Sequence, residues 1–172
     1  MRQIALDTET TGGWSAAKHR IVEVGCVEIV DRTITGRNFH SKINPQREVH
    51  EGATATHGYT WEMLKDSPLF ADICDKLISF VRGAEILIHR VPFDLPFLDN
   101  ELQRLGRKNF TAEAQCTVVD TVGAARKLHS EENSLDALCD RYGIDRSHRQ
   151  LHGALKDAKL LAQVYLAMTS DQ

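Results

Sequence analysis

No run of apolar residues approaches the roughly 18–20 needed to cross a bilayer, which argues against a membrane-spanning helix. Cysteine is scarce. Cys26, Cys74, Cys116 and Cys139 form no CxxC pair, which sets aside a zinc ribbon and a thioredoxin-type motif. Each stands in a mostly apolar stretch and is expected as a small buried hydrophobe in a reducing cytoplasm. Base is not in excess: 21 Lys+Arg stand against 24 Asp+Glu, a net charge of −3. That is not the footprint of a protein that coats duplex DNA by neutralising many phosphates. An enzyme gripping only the end of a strand stays open, as does neutralisation of some acids by bound metal. No GK[ST] follows Thr10-Thr11-Gly12-Gly13, which removes a P-loop. Internal repeats, low-complexity segments and Pro/Gly/Ser linkers are absent too, so one domain over residues 1–172 is expected. The opening Met1–Asp7 enters a short apolar stretch that ends on an acid. It has no signal-peptide h-region, and a cytoplasmic location without membrane association is expected.

What is present suits a globular domain: 172 residues, 42% hydrophobic and 26% charged. A chain of this size buries about 70% of its extended surface. The first part reads as strands. Gln3–Asp7 is a short apolar run. Arg20–Val30 alternates with Ile21, Val27 and Ile29 on one parity and Val22, Val24, Cys26 and Val30 on the other, as a strand buried on both faces or bent at Gly25. Asn38–Ile43 is a third strand, closed by Asn44-Pro45. The rest alternates. A helix is expected from Ser67-Pro68 to Val81, a strand over Glu85–His89, and a helix over Phe93–Leu105 with Pro96 in its first turn. A short strand Thr117–Val119 precedes a helix to Leu128. Asn133 or Ser134 caps a helix to Tyr142 that Gly143 stops, and Gly153–Met168 is the last helix. Strands first and alternation after give an α/β fold: a mixed central sheet, antiparallel meander plus parallel strands, flanked by helices.

Three places carry candidate chemistry. In Leu6-Asp7-Thr8-Glu9, two carboxylates two residues apart on an extended backbone face the same way. At roughly 4 Å and an effective dielectric near 20 they repel by about 4 kcal/mol, so they need a shared proton or a cation. Oxygen ligands suit Mg²⁺ or Mn²⁺. Alone, the same residues serve equally as a turn cap and a solvated glutamate. In His89-Arg90-Val91-Pro92-Phe93-Asp94, a strand delivers His89 to the sheet edge where α/β sites are built, and Asp94 falls at a helix start. An ordinary first-turn carboxylate fits that position too. In Leu151-His152-Gly153-Ala154-Leu155-Lys156-Asp157, the His and Asp would diverge by roughly 140° on one ideal helix. They converge only if His152 stands on the loop before it, with Gly153 allowing the bend. A loop histidine near an acid suits a general base. His148 and His152 lack the Glu of HExxH and a third ligand, which argues against zinc.

In this order the three motifs resemble the DEDDh exonuclease superfamily: DxE at the first strand (Asp7, Glu9), Asp94 after a strand and an aromatic, and HxxxxD (His152, Asp157). Further stretches, among them RQIALDTETTG, RGAEILIH, NSLDALC and YLAMT, resemble the proofreading exonuclease subunits of bacterial DNA polymerase III from Arg2 to Thr169. The resemblance implies a ribonuclease H-like fold and two divalent ions, Mg²⁺ or Mn²⁺, held by Asp7, Glu9, Asp94 and Asp157. It implies 3′→5′ release of nucleoside 5′-monophosphates, with His152 taking the proton of the attacking water. Thr8, Glu9, His57, His89 and Phe93 are the implied substrate contacts. The implied partners are a single-stranded or mispaired DNA 3′ end, the polymerase catalytic (alpha) subunit, a small theta-like accessory subunit and the sliding clamp. Longer members reach the clamp and polymerase through a segment after the catalytic domain, whereas this chain ends at Gln172. Two positions depart from the pattern: Arg90 replaces an asparagine, and Thr56 replaces a branched apolar residue expected against the terminal base. Arg141, Arg146, His148 and Arg149 are read as a solvated face or as contacts to polymerase or template. The alternatives are an RNA-trimming exonuclease, separated from the DNA enzyme only by how a pocket senses the 2′-OH, and a non-catalytic scaffold that stabilises a polymerase.

Overall fold

The computed structural model describes residues 1–170. Strands β1 (Arg2–Thr10), β2 (Ile21–Val30) and β3 (Thr33–Lys42) form the meander. Helices α1 (Glu51–His57), α2 (Trp61–Leu64) and α3 (Phe70–Val81) follow, then β4 (Glu85–Ile88), α4 (Val91–Arg104), α5 (Phe110–Ala114) and β5 (Thr117–Asp120). Helices α6 (Thr121–Leu128), α7 (Leu135–Arg141) and α8 (Ala154–Met168) complete it. The five strands run in the order β3-β2-β1-β4-β5. β1 is antiparallel to β2, β2 to β3, and β1-β4-β5 are parallel. This is the mixed, helix-flanked sheet expected of the sequence. Among the described residues no helix is long and apolar enough to cross a membrane.

Both faces of the sheet are covered, which is why its central strands carry apolar residues at consecutive positions. Ile4, Leu6, Ile86 and Ile88 enter one core with α3, α4 and α5, while Ala5 and Leu87 enter the other with α6, α7 and α8. Ile21 breaks the parity read from the sequence and packs with Val24 and Cys26. The cause is a register shift: Glu9 faces Glu23 but Thr10 faces Ile21, so Val22 is an extra residue that turns the chain over. Gly25 does not bend β2. A Cβ there would lie 2.4 Å from the Leu155 amide nitrogen and 2.5 Å from the Ala154 carbonyl carbon, so the missing side chain lets the first turn of α8 close on the sheet.

Several boundaries differ from the sequence reading. β1 runs to Thr10, and β3 starts at Thr33 because the turn at Asp31 and Arg32, both at positive φ, is tight enough to keep the hairpin paired. Helix α3 does not start at Ser67-Pro68. The Pro68 carbonyl accepts the Asn44 amide (2.9 Å), and the helix begins where Asp72 Oδ2 accepts the Leu69 amide (2.9 Å). Helix α4 starts at Val91, which puts Pro96 in its second turn; the missing N–H leaves the Pro92 carbonyl without its helical donor. Ser134, rather than Asn133, caps α7, its hydroxyl accepting the Ala137 amide at 3.2 Å. Helices α1, α2 and α5 carry too few residues for a periodic pattern to announce them. All four cysteines are free thiols; Cys26, Cys74 and Cys139 are buried, but Cys116, at the turn into β5, is only half-buried.

Candidate active site

The site grows from the place where β1 outruns β4. Their pairing ends at Leu6 and Ile88, so Asp7, Thr8 and Glu9 continue past the carboxyl end of β4 with one flank open. Arg90 turns the chain there, in the left-handed conformation at φ 72°, ψ 66°, and α4 begins against that flank. Asp94, only 3% exposed, fastens the two: its Oδ1 accepts the Thr8 hydroxyl (2.6 Å) and the Thr8 amide (3.2 Å). From the other side α8, seated on Gly25, presents the buried Asp157 in its first turn. His152 stands on the loop before α8, its amide donating to the Thr56 carbonyl at 3.0 Å. Asp7, Glu9, Asp94, His152 and Asp157 line one cavity of about 500 Å³, and Glu9, His152 and Asp157 offer donor atoms within 4.8 Å of one another.

Three buried carboxyls and a half-buried fourth, Asp7, cannot all ionise here unaided. Burial, and then the charges of Asp94, Glu9 and Asp157, raise the Asp7 carboxyl well above the usual range. Burial, then Asp157, Glu23 and Asp94, push Glu9 up to about 9. Burial pushes Asp94 up to about 7 against the two bonds from Thr8. Asp7 Oδ2 is buried with no hydrogen-bond partner. Hard oxygen donors, an orphaned carboxylate oxygen and mutual repulsion fit a divalent cation.

Within the protein, Arg149 is the balancing charge. Its side chain is 6% exposed, with Nε 2.7 Å from Asp157 Oδ1 and Nη2 2.8 Å from Oδ2. Nη1 pairs with Asp136, and Nη2 also lies 3.0 Å from His152 Nδ1. A guanidinium only donates, so Nδ1 is the acceptor and the His152 ring is neutral. Burial, then the charge of Arg149, lowers its pKa in keeping with that.

The other expected contacts divide. Phe93 lines the cavity and packs edge-on against Trp14, ring centroids 5.0 Å apart. His89 lines it too: Nδ1 meets the Thr121 hydroxyl (2.9 Å), Nε2 is buried without a partner, and burial lowers the ring to about 4. Thr8 lines the cavity, but its hydroxyl is spent on Asp94. His57 lies outside it, in an adjoining cavity beside Thr10, Thr56 and Phe93. Its Nε2 donates to the Thr10 carbonyl (2.9 Å) and Nδ1 accepts the Tyr59 amide (3.1 Å), so neither nitrogen is free for a nucleotide. The Thr56 hydroxyl donates to the Gly52 carbonyl (3.0 Å).

The basic group near the C-terminus is not one surface face. Arg149 is buried in the site, Arg141 is tied to Asn133 and Glu131, and Arg146 to Asp140; His148 is exposed. Sequence reasoning missed the site role of Arg149, and it missed Trp14, Asp136 and Glu23. Glu23 is buried in β2, where Oε1 accepts the Ala154 amide (2.6 Å) and Oε2 meets Tyr59 Oη (2.7 Å) and His40 Nε2 (2.8 Å). Its signal was an acid inside the apolar run Ile21–Val30.

Paired acids at the carboxyl edge of such a sheet, facing an acid from the last helix and an imidazole from the loop before it, are a donor set suited to divalent cations and to phosphodiester chemistry. The exonuclease family profile, of RNase T type, matches residues 4–165, and the chain belongs to that family. It is 50% identical over 176 aligned positions to the DNA polymerase III subunit epsilon of Pasteurella multocida, covering 99% of this chain and 69% of that protein. To the epsilon subunit of Escherichia coli K12 it is 48% identical, covering 72% of that protein. Among solved structures, a zinc-bound complex of E. coli exonuclease I with single-stranded DNA superposes with a TM-score of 0.86 at 18% identity. The chain spans 41% of the length of that enzyme, and the likeness establishes the ribonuclease H-like exonuclease fold.

Proposed function

We propose that the chain is the catalytic part of a proofreading 3′→5′ exonuclease that releases nucleoside 5′-monophosphates from single-stranded or frayed DNA ends. One observation carries the reading: Asp7, Glu9, Asp94 and Asp157 meet a neutral His152 in one cavity, more carboxyls than one arginine can keep ionised. Asp7, Glu9, Asp94 and Asp157 would hold two Mg²⁺ or Mn²⁺ ions, which supply charge neutralisation at the scissile phosphate and acidify water there. His152 accepts a proton from the attacking water, which its lowered pKa permits at neutral pH. Its reachable position on a loop suits that task, since 46% of its side chain is exposed. Thr8 fixes Asp94 in place through two hydrogen bonds, and Phe93 offers an apolar wall to the terminal nucleotide. The epsilon relatives support association with a polymerase III catalytic subunit; a theta-like subunit and the sliding clamp are the further partners of this reading.

The test is release of mononucleotides from 3′-labelled single-stranded DNA and matched RNA, with Mg²⁺, Mn²⁺ or chelator. Metal-dependent release from DNA, lost in Asp7→Ala, is expected. Faster attack on RNA would move the enzyme to RNA trimming, and no release from either would leave a scaffold.

A further inference from the structure

The cavity holding the acids is not closed at its rim. Trp14 and Arg90 line it, and both also line a second cavity of about 290 Å³ with Pro92, Asp120, Val122 and Arg126. Trp14 is 64% exposed, a high value for an indole, and its ring is braced edge-on by Phe93 rather than covered. Arg90 and Arg126 are exposed as well, so two guanidiniums flank an open aromatic ring on the path leading away from the acids. A third cavity, of about 430 Å³, shares Arg90, Val122 and Arg126 with the second and adds His129, Glu131 and Glu132. The two glutamates weaken its hold on a polyanion, whereas the indole stands on the Trp14 side. Asp120 is the acid on that side, and its Oδ1 is buried.

Resting on the exonuclease reading above, we propose that the nucleotides upstream of the cleaved one run over Trp14, with a base stacked on the indole and their phosphates held by Arg90 and Arg126. Aromatic rings flanked by guanidiniums are how proteins track single strands without reading sequence, because every base has a π-face. The path also accounts for Arg90. A non-glycine residue at φ 72° is strained, and asparagine tolerates that conformation better, so arginine there trades backbone comfort for a charge beside the strand. Duplex ends would have to unpair to lay one strand across the ring.

Two substrates separate the track from the chemistry. The p-nitrophenyl ester of thymidine 5′-monophosphate fits the acid cavity, whose rim Trp14 and Arg90 share but Arg126 does not, whereas a single-stranded oligothymidylate also needs the second cavity. The ratio of kcat/KM on the oligonucleotide to that on the ester is expected to fall about tenfold in Trp14→Ala and severalfold in Arg126→Gln and Arg90→Asn. The loss should appear mainly in KM. A second readout needs no turnover. In an Asp7→Asn, Trp61→Phe protein Trp14 is the remaining indole, since the chain has two tryptophans. Oligothymidylate should quench its fluorescence saturably and more deeply than saturating thymidine 5′-monophosphate, which reaches only the rim that Trp14 shares with the acid cavity. Unchanged ratios in all three variants, or equal quenching by monomer and oligomer, would overturn the track. A parent protein inactive on both substrates would instead overturn the exonuclease reading.

Discussion

Gly25→Ala tests whether the site depends on how closely α8 sits on the sheet. The added Cβ would meet the Leu155 amide nitrogen at 2.4 Å and the Ala154 carbonyl carbon at 2.5 Å. Both are backbone atoms, so no rotamer change relieves the clash, and reaching ordinary contact near 3.4 Å requires α8 to retreat by about 1 Å. Gly25 is not at positive φ, so alanine costs nothing in backbone conformation and would otherwise stabilise by about 0.4–1 kcal/mol through the unfolded state. Overpacking of this kind costs about 1–3 kcal/mol. In a domain of this size that lowers Tm by about 2–12 °C. The larger effect is catalytic. Asp157 rides on the displaced turn and His152 just before it, and a misplacement of about 1 Å costs about 100-fold in rate. Thermal melts and kcat on the thymidine ester measure the two effects. Gly13→Ala, where a Cβ meets nothing within 4 Å, is the control for stability. A Gly25→Ala protein as stable as the parent, with unaltered kcat, would refute the reasoning.

The acids predict an inverted pH dependence without metal. Asp94 and Glu9 have folded pKa values near 7 and 9 against ordinary values of 3.8 and 4.5, so between about pH 4 and 9 the folded state binds more protons than the unfolded. Stability then falls as pH rises through that window. In chelator, Tm should drop from pH 5 to pH 8, and saturating Mg²⁺ should cancel most of the drop; a flat or rising Tm in chelator would contradict the shifts. Arg149→Gln removes the guanidinium from Asp157. Its Tm in chelator should fall by several degrees, because breaking a buried pair strands a charge. Its rise in Tm with Mg²⁺ should exceed the parent's, since no guanidinium then competes for Asp157, and an unchanged chelator Tm would remove Arg149 as the internal counter-charge.

The fold was legible in the sequence where a period was long enough to read. The Arg20–Val30 run announced a strand buried on both faces, and the apolar side of Ala154–Met168 announced the last helix. Failures came where one hydrogen bond outweighed propensity. Ser67-Pro68 has the composition of a helix start, yet the Pro68 carbonyl is taken by Asn44 and Asp72 sets the boundary instead. Asp7, Glu9, Asp94, His152 and Asp157 line one cavity, and in the sequence only the order of the three motifs, not their spacing, tied them together. His57 shows the limit of that route. The motif offered a substrate contact, and the structure spends Nε2 on the Thr10 carbonyl at the end of β1 and Nδ1 on the Tyr59 amide. Arg149 and Glu23 escaped notice for a common reason. Glu23 reaches Ala154 from 131 residues away, and Arg149 reaches Asp136 and Asp157 through a loop with no periodic pattern, and a lone charged residue carries no sign of its partner.

The site divides into parts of unequal rigidity, and the division matches the roles the residues would play. Asp7 and Glu9 lie on the central strand, Asp94 is clamped to Thr8, and Asp157 is on a helix whose first amide is held by buried Glu23. Carboxyls that repel one another must be fixed by the fold, because free side chains would swing apart and the cation-sized gap would be lost. His152 has the opposite need. Its ring accepts from Arg149 at Nδ1, so it serves as a base only after that contact loosens, and a loop tethered by one amide to the Thr56 carbonyl permits the movement. Because that tether is made by backbone, the unusual side chain at Thr56 leaves it intact. Arg149 joins the two parts, because the guanidinium that grips Asp157, a carboxylate that would help hold a cation, also covers the His152 ring.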